Sequence, residues 1–286
     1  MSASRLTPYA LLLALLAAAP LTADTSGLSL ASTEFGKGPA IVLVPGLGSQ
    51  RMQWMPTARR LISNYHVVMV DIPGHGESLM PDPFSFEASA AMLDRVLARQ
   101  NPDSTIVVAH GAGGLIAVLE ARAHPERMRG LVAIDASMRS PLPVPDQQKP
   151  AFFQFVDENY DTFLKTVFNA MGRDSAQGIE IYSKASLVPA GVIKTYVRHL
   201  LDVDESGVAR ALTVPTMYIG SSRAWADTAS WASVAKFRGW DGAAQVKSMR
   251  IANSGYLIMA DQPDSLAAAI SSFAQDVLSR QPMAKK

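Results

Sequence analysis

Val107-Val108-Ala109-His110-Gly111-Ala112-Gly113-Gly114 (VVAHGAGG) decides how this chain is read. Its first half is apolar and begins with β-branched residues, which suits a strand. Its second half is almost free of side chain. Gly114 to Ala123 then carries apolar residues at three- and four-residue spacing, the pattern of a helix with a buried face. A strand that turns through small residues into a helix is the repeating unit of a layered α/β protein.

The same alternation extends in both directions. Ala40–Val44 (AIVLV), Tyr65–Asp71 (YHVVMVD), Thr105–Ala109, Gly130–Asp135 (GLVAID), Pro215–Gly220 (PTMYIG) and Ala244–Ile251 are short apolar runs. Continuous runs of this kind suit parallel strands covered on both faces. Leu28–Phe35 alternates loosely and reads as an edge strand. Met52–Ser63, Phe86–Arg99 and Asp264–Leu278 carry helical spacing between and after the strands. The expected fold class is therefore α/β: a mostly parallel central sheet with helices on both faces. Ligands in such sheets bind at the carboxyl ends of the strands.

One segment interrupts the alternation. Residues 140–211 contain no convincing strand and open on the proline-rich PLPVPDQQKP (141–150). Phe152–Met171 and Ala190–Leu201 read as helical. This is a helical cap insertion over the sheet, and its Phe, Tyr, Leu and Val residues either line an apolar pocket or extend the core.

Composition narrows the partners. The chain has 286 residues, 48% hydrophobic and 18% charged, with 26 basic against 25 acidic residues. That balance gives no basic face for nucleic acid. With no cysteine, disulfides and thiolate metal sites are excluded, and no cofactor or metal is expected. Residues 1–23 have the form of a secretory signal: Arg5, an apolar stretch Tyr9–Ala19, and Leu21-Thr22-Ala23 before Asp24. The apolar stretch is too short to span a bilayer, which takes about 20 residues. The expectation is an exported protein, periplasmic or secreted, whose mature domain (24–286) is not inserted in a membrane.

The VVAHGAGG turn resembles the nucleophile elbow of the α/β-hydrolases. Ala109 and Gly113 are the small flanks that a sharp strand-to-helix turn requires, and Gly111 stands where the family places its nucleophile. Three further segments carry the resemblance. Val44-Pro45-Gly46-Leu47-Gly48 resembles the oxyanion loop, with Trp54 at the usual spacing beyond it. Asp71-Ile72-Pro73-Gly74-His75-Gly76-Glu77-Ser78 is similar to the DxxGxGxS turn. Asn253-Ser254-Gly255-Tyr256, followed by Asp261-Gln262-Pro263-Asp264, is similar to the late GHxxxxExP stretch, with tyrosine in the histidine position.

The resemblance implies a fold built for ester hydrolysis, and the residues depart from its chemistry. Gly111 offers no atom for an acyl-enzyme. Tyr256 titrates near pH 10 in water and is a poor base at neutral pH. Asp135 is the candidate acid, or a carboxylate that caps the turn into Ala136-Ser137; Asp227 lies further from the family's other acid position. By resemblance the oxyanion donors are the N–H groups of Leu47 and Ala112, which do not depend on the side chain at 111. Of the five histidines, His110 and His199 are the candidates for the pocket. Two expectations follow. The first is a protein without serine-hydrolase activity that binds a small apolar molecule under the cap. The second is an active hydrolase or lyase that uses non-standard acid and base groups with the retained oxyanion hole. Nothing in the sequence identifies a protein partner.

Overall fold

In the computed structural model, which describes residues 27–142 and 144–280, the apolar runs become one seven-stranded sheet. The expected signal segment lies outside the described residues. The strands are β1 (Ser32–Phe35), β2 (Ala40–Val44), β3 (His66–Val70), β4 (Thr105–His110), β5 (Gly130–Ile134), β6 (Thr216–Ser221) and β7 (Val246–Ile251). Their order is β1-β3-β2-β4-β5-β6-β7, with only β1 antiparallel. The edge strand is shorter than its sequence pattern. At Ala31 the N–H turns to Ser78 Oγ (2.9 Å), while its carbonyl still accepts from the Asp71 N–H (3.0 Å).

The helices are α1 (Met55–Leu61), α2 (Phe86–Leu97), α3 (Gly111–Ala123), α4 (Lys149–Glu158), α5 (Tyr160–Asn169), α6 (Ser175–Ala185), α7 (Ala190–Leu200), α8 (Ser206–Arg210), α9 (Trp231–Arg238), α10 (Ile258–Asp261) and α11 (Pro263–Ser279). Pro56 explains why α1 begins at Met55 and not at Met52, since proline fits only the first helical turn. The expected single helix over Phe152–Met171 is two, broken at Asn159, whose backbone leaves helical geometry. Helices α4 to α8 form the insertion between β5 and β6. No helix among the described residues is long and apolar enough to cross a membrane.

Strands β2 to β6 are buried on both faces, which is why they are mostly apolar, whereas the edge strands β1 (STEF) and β7 (VKSMRI) carry polar and charged residues and are partly exposed. Val42, Val68, Val107 and Leu131 point to one core, with α2 and α3; Ile41, Val67, Ile106 and Val132 point to the other, with α1 and α11. Register then gathers the functional loops. Val44 is level with Ala109, Ala109 with Ala133, Ile134 with Ile219, and Ser221 with Ile251. The chain segments that follow β2, β4, β5, β6 and β7 therefore leave the carboxyl edge side by side.

Candidate functional site

Gly111 is the first residue of α3, three positions earlier than the expected helix start, and its φ is +52°. Glycine reaches that left-handed conformation without a Cβ clash. The helix continues through Gly113 and Gly114 despite their low helix propensity. A Cβ on Gly113 would lie 2.2 Å from the Pro45 carbonyl oxygen, so the elbow packs backbone against the oxyanion loop.

Tyr256 follows β7 and reaches back to the elbow. Its N–H donates to the Met171 carbonyl (3.1 Å), and the N–H of Gly255 donates to Asp261 Oδ2 (2.7 Å). These bonds tie the late loop to the end of α5 and to α10. A Cβ built on Gly111 would meet the Tyr256 hydroxyl oxygen at 2.6 Å, and one built on Gly46 would meet the same oxygen at 2.6 Å. The phenol thus occupies the space into which a side chain at 111 would project. Burial, with the Asp135 carboxylate adding to it, pushes the phenol above its ordinary value, so it is a proton donor across the neutral range.

Asp135 directly follows β5 at a φ of +47°, an uncommon conformation for a residue with a side chain. Its carboxylate accepts from the Ser221 N–H (2.8 Å) and the Ser221 hydroxyl (2.6 Å). It therefore joins β5 to β6 and does not cap its own turn. Burial pushes its pKa up; Arg238, the two Ser221 bonds and Arg223 pull the other way. Ser221→Ala should cost about 1–3 kcal/mol, the penalty of leaving one buried carboxylate oxygen unpaired. Urea denaturation at pH 7 measures it; a loss below about 0.5 kcal/mol would mean the bond holds nothing.

Leu47 and Ala112 both line the cavity. Neither N–H donates to a loop or capping acceptor among the described residues, as a first-turn helix N–H such as that of Ala112 is free to do. The oxyanion loop is held from behind by His75. Its Nε2 accepts from the Gly48 N–H (3.0 Å), and its Nδ1 bonds the Pro73 carbonyl (3.0 Å). The DxxGxGxS-like turn is thereby given a role: Asp71 accepts from the N–H groups of Arg51 (2.7 Å) and Glu77 (3.1 Å), and His75 props the loop.

The cavity between cap and sheet has a volume of about 450 Å³, within the range of small-molecule sites. Gly111, Asp135 and Tyr256 lie on its floor side with Leu47 and Ala112. Phe163, Val167 and Met171, in and just after α5, and Val197, Leu200 and Leu201, in and just after α7, bring the apolar inner face of the cap to it. Neither His110 nor His199 is in the lining, contrary to expectation. His110 is fully buried with its ring against that of Tyr256, centroids 4.2 Å apart. His199 is an exposed residue at the end of α7 that meets Phe84 edge-on, ring centroids 4.9 Å apart. Asp227 is paired with Arg250.

Sequence reading noted Ser221-Ser222-Arg223 only as standing at the family's other acid position after Gly220, and it passed over Arg238. Ser221 and Arg223 sit at the carboxyl end of β6, where the fold predicts function. Arg238 lies in α9, whose signals were present in the sequence: Ser230 caps its start and Gly239 its end, at a φ of +76°.

Residues 39–212 match the model of a family described as alpha/beta hydrolase fold. The pimeloyl-[acyl-carrier protein] methyl ester esterase of Edwardsiella ictaluri is 30% identical over 144 residues, 48% of this chain and 54% of that protein. The enzyme of the same name from Aliivibrio salmonicida is 29% identical over 195 residues, 63% and 72% of the two chains. The chain spans about half the length of most curated relatives it matches. Among solved structures, an esterase from Exiguobacterium antarcticum superposes with a TM-score of 0.74 at 15% identity, covering 88% of this chain and 97% of that one. A hydrolase from Oleispira antarctica gives 0.73 at 16%, covering 86% and 94%. These structures share the fold.

Proposed function

As the chain belongs to the α/β-hydrolase fold family, we propose that it holds a small, largely apolar molecule bearing a carbonyl-type oxygen, without forming an acyl-enzyme. The position of the Tyr256 hydroxyl carries this reading: it fills the space of a side chain at 111, where Gly111 already offers no nucleophile. Leu47 and Ala112 N–H groups on the cavity wall supply donors for the ligand oxygen. The protonated phenol of Tyr256 adds a third donor beside them.

The curated relatives support a second reading, hydrolysis without a covalent step. In it Asp135, a cavity carboxylate whose affinity for a proton is raised by burial, takes a proton from water as the water attacks the ester carbon. The backbone donors hold the resulting oxyanion. Collapse of that intermediate breaks the carbon–oxygen bond, the alcohol leaves with the proton that Asp135 took from the water, and Asp135 returns to its carboxylate form.

Hydrolysis of p-nitrophenyl butyrate and octanoate by the purified chain, beside Asp135→Asn, separates the two. The expected result is no rate above the protein-free blank, with both esters acting as ligands that raise the melting temperature. A saturable rate that Asp135→Asn lowers by 10²-fold or more, the typical contribution of a general base, would overturn the binding reading in favour of the second.

A further inference from the structure

The cavity is unbalanced in charge, and that narrows its ligand. Three charged side chains line it: Asp135, Arg223 and Arg238. Asp135 is engaged by Ser221 through both carboxylate oxygens. Among the described residues Arg223 donates only to the Ala170 carbonyl, and Arg238 donates to the Asp135 main-chain carbonyl (3.1 Å). Neither arginine has an ion pair among the described residues. The Arg238 Nε is closed off inside the protein, without an acceptor among the described residues, so it is not what the arginine offers to the cavity.

A guanidinium that bonds a single main-chain carbonyl and no carboxylate keeps N–H donors that an anion can fill. Arginine presents its N–H groups in a planar fork that matches a carboxylate better than it matches a single carbonyl oxygen. Beyond that floor the walls are the apolar side chains of α5 and α7. We propose that the bound molecule is a monocarboxylate with an apolar tail, its carboxylate on Arg238 with Arg223 adding to the field, and its tail against Phe163, Val167, Met171 and Leu201. This inference rests on the binding reading above and specifies its ligand.

Calorimetric titration of the full chain with octanoate and with octanamide tests it. The two differ in charge and hardly in shape. Octanoate is expected to bind about ten- to a hundredfold more tightly, the usual worth of a charge-assisted over a neutral hydrogen bond. Arg238→Gln should erase that preference while changing octanamide affinity by less than about threefold. Arg223→Gln, at an exposed position where folding is not at stake, should weaken octanoate alone by about threefold. Equal affinity for the two ligands in the parent chain overturns the carboxylate inference and leaves the cavity reading standing. Unchanged octanoate affinity in both variants overturns the assignment to these arginines. Binding of neither ligand overturns both the inference and the reading beneath it.

Discussion

Gly111→Ser alone is expected to yield no esterase, whereas Gly111→Ser with Tyr256→His is expected to hydrolyse p-nitrophenyl butyrate. The reason is steric before it is chemical. Any Cβ at 111 falls 2.6 Å from the Tyr256 hydroxyl, so the single variant must displace a ring fixed by the Met171 and Asp261 contacts of its loop. It must also accept a φ of +52°, at a cost on the order of 1 kcal/mol. Histidine at 256 is shorter than tyrosine, which clears the elbow and supplies the base that a serine hydroxyl needs. The double variant should exceed the single by roughly 10²–10⁴-fold in kcat/KM, the range for a positioned general base. Leu47 and Ala112 line the cavity beside the elbow, and their N–H groups are the proposed donors to the oxyanion. Equal rates in the two variants would mean that the oxyanion loop or the Asp135 carboxylate, and not the elbow, limits the chemistry.

His110→Leu and Glu120→Gln are expected to change stability with opposite pH dependences. Burial pushes the His110 pKa from its ordinary 6.5 down to about 3, with Arg238 lowering it further and the Tyr256 backbone opposing. A depressed folded pKa means that the unfolded chain binds the proton first. The neutral ring's contribution is full above pH 6.5 and is lost as pH falls toward about 3. Neither ring nitrogen makes a hydrogen bond of normal geometry, so leucine of similar bulk should be close to neutral at pH 7. Its advantage over the parent should grow on acidification, by on the order of 3 kcal/mol between pH 6.5 and 4.

Glu120, buried on α3 with Oε1 unpartnered, is the reverse. Burial pushes it from 4.5 up to about 8; Asp94 and Glu126 add to the shift, and Arg127 opposes it. The folded protein holds this proton longer than the unfolded chain does. The contribution is full below pH 4.5 and is lost as pH rises through about 8. The advantage of Glu120→Gln should therefore grow from pH 5 to pH 8, by on the order of 2–3 kcal/mol. Urea denaturation from pH 4 to pH 8 measures both variants. Stability differences that stay constant with pH would show that neither group changes its proton occupancy on folding.

The strands were legible because both faces of a parallel sheet are dry: AIVLV, TIVVA and GLVAI admit no other placement in a chain of this length. The helices of the cap were less so. Phe152–Met171 reads as one helix because the break at Asn159 is a backbone event with no proline or glycine to announce it. Helix α6 (Ser175–Ala185) buries only Gly178, Ile181 and Ala185, too narrow a stripe to stand out against its polar residues. Candidate residues at the elbow and the late loop were legible because a glycine or a tyrosine at a fixed spacing can be counted. His110 and His199 were misplaced because a side chain's direction depends on packing: His110 turns inward beneath the elbow, and His199 sits on the outer turn of α7.

By itself the sequence determined the succession of strands along the chain, the helices that flank the first four of them, the elbow with Gly111 in it, and Tyr256 in the loop after the last strand. These follow from local constraints: apolar runs that must be buried, and turns that tolerate only small residues. Tertiary structure alone decided that the Tyr256 hydroxyl fills the space above Gly111, that Asp135 is bound by Ser221 86 residues away, and that Arg223 and Arg238 meet in one cavity. Each of these depends on strand register across the sheet, which brings distant chain segments to one edge, and on the docking of the cap above them. Neither is encoded in the spacing of residues along the chain.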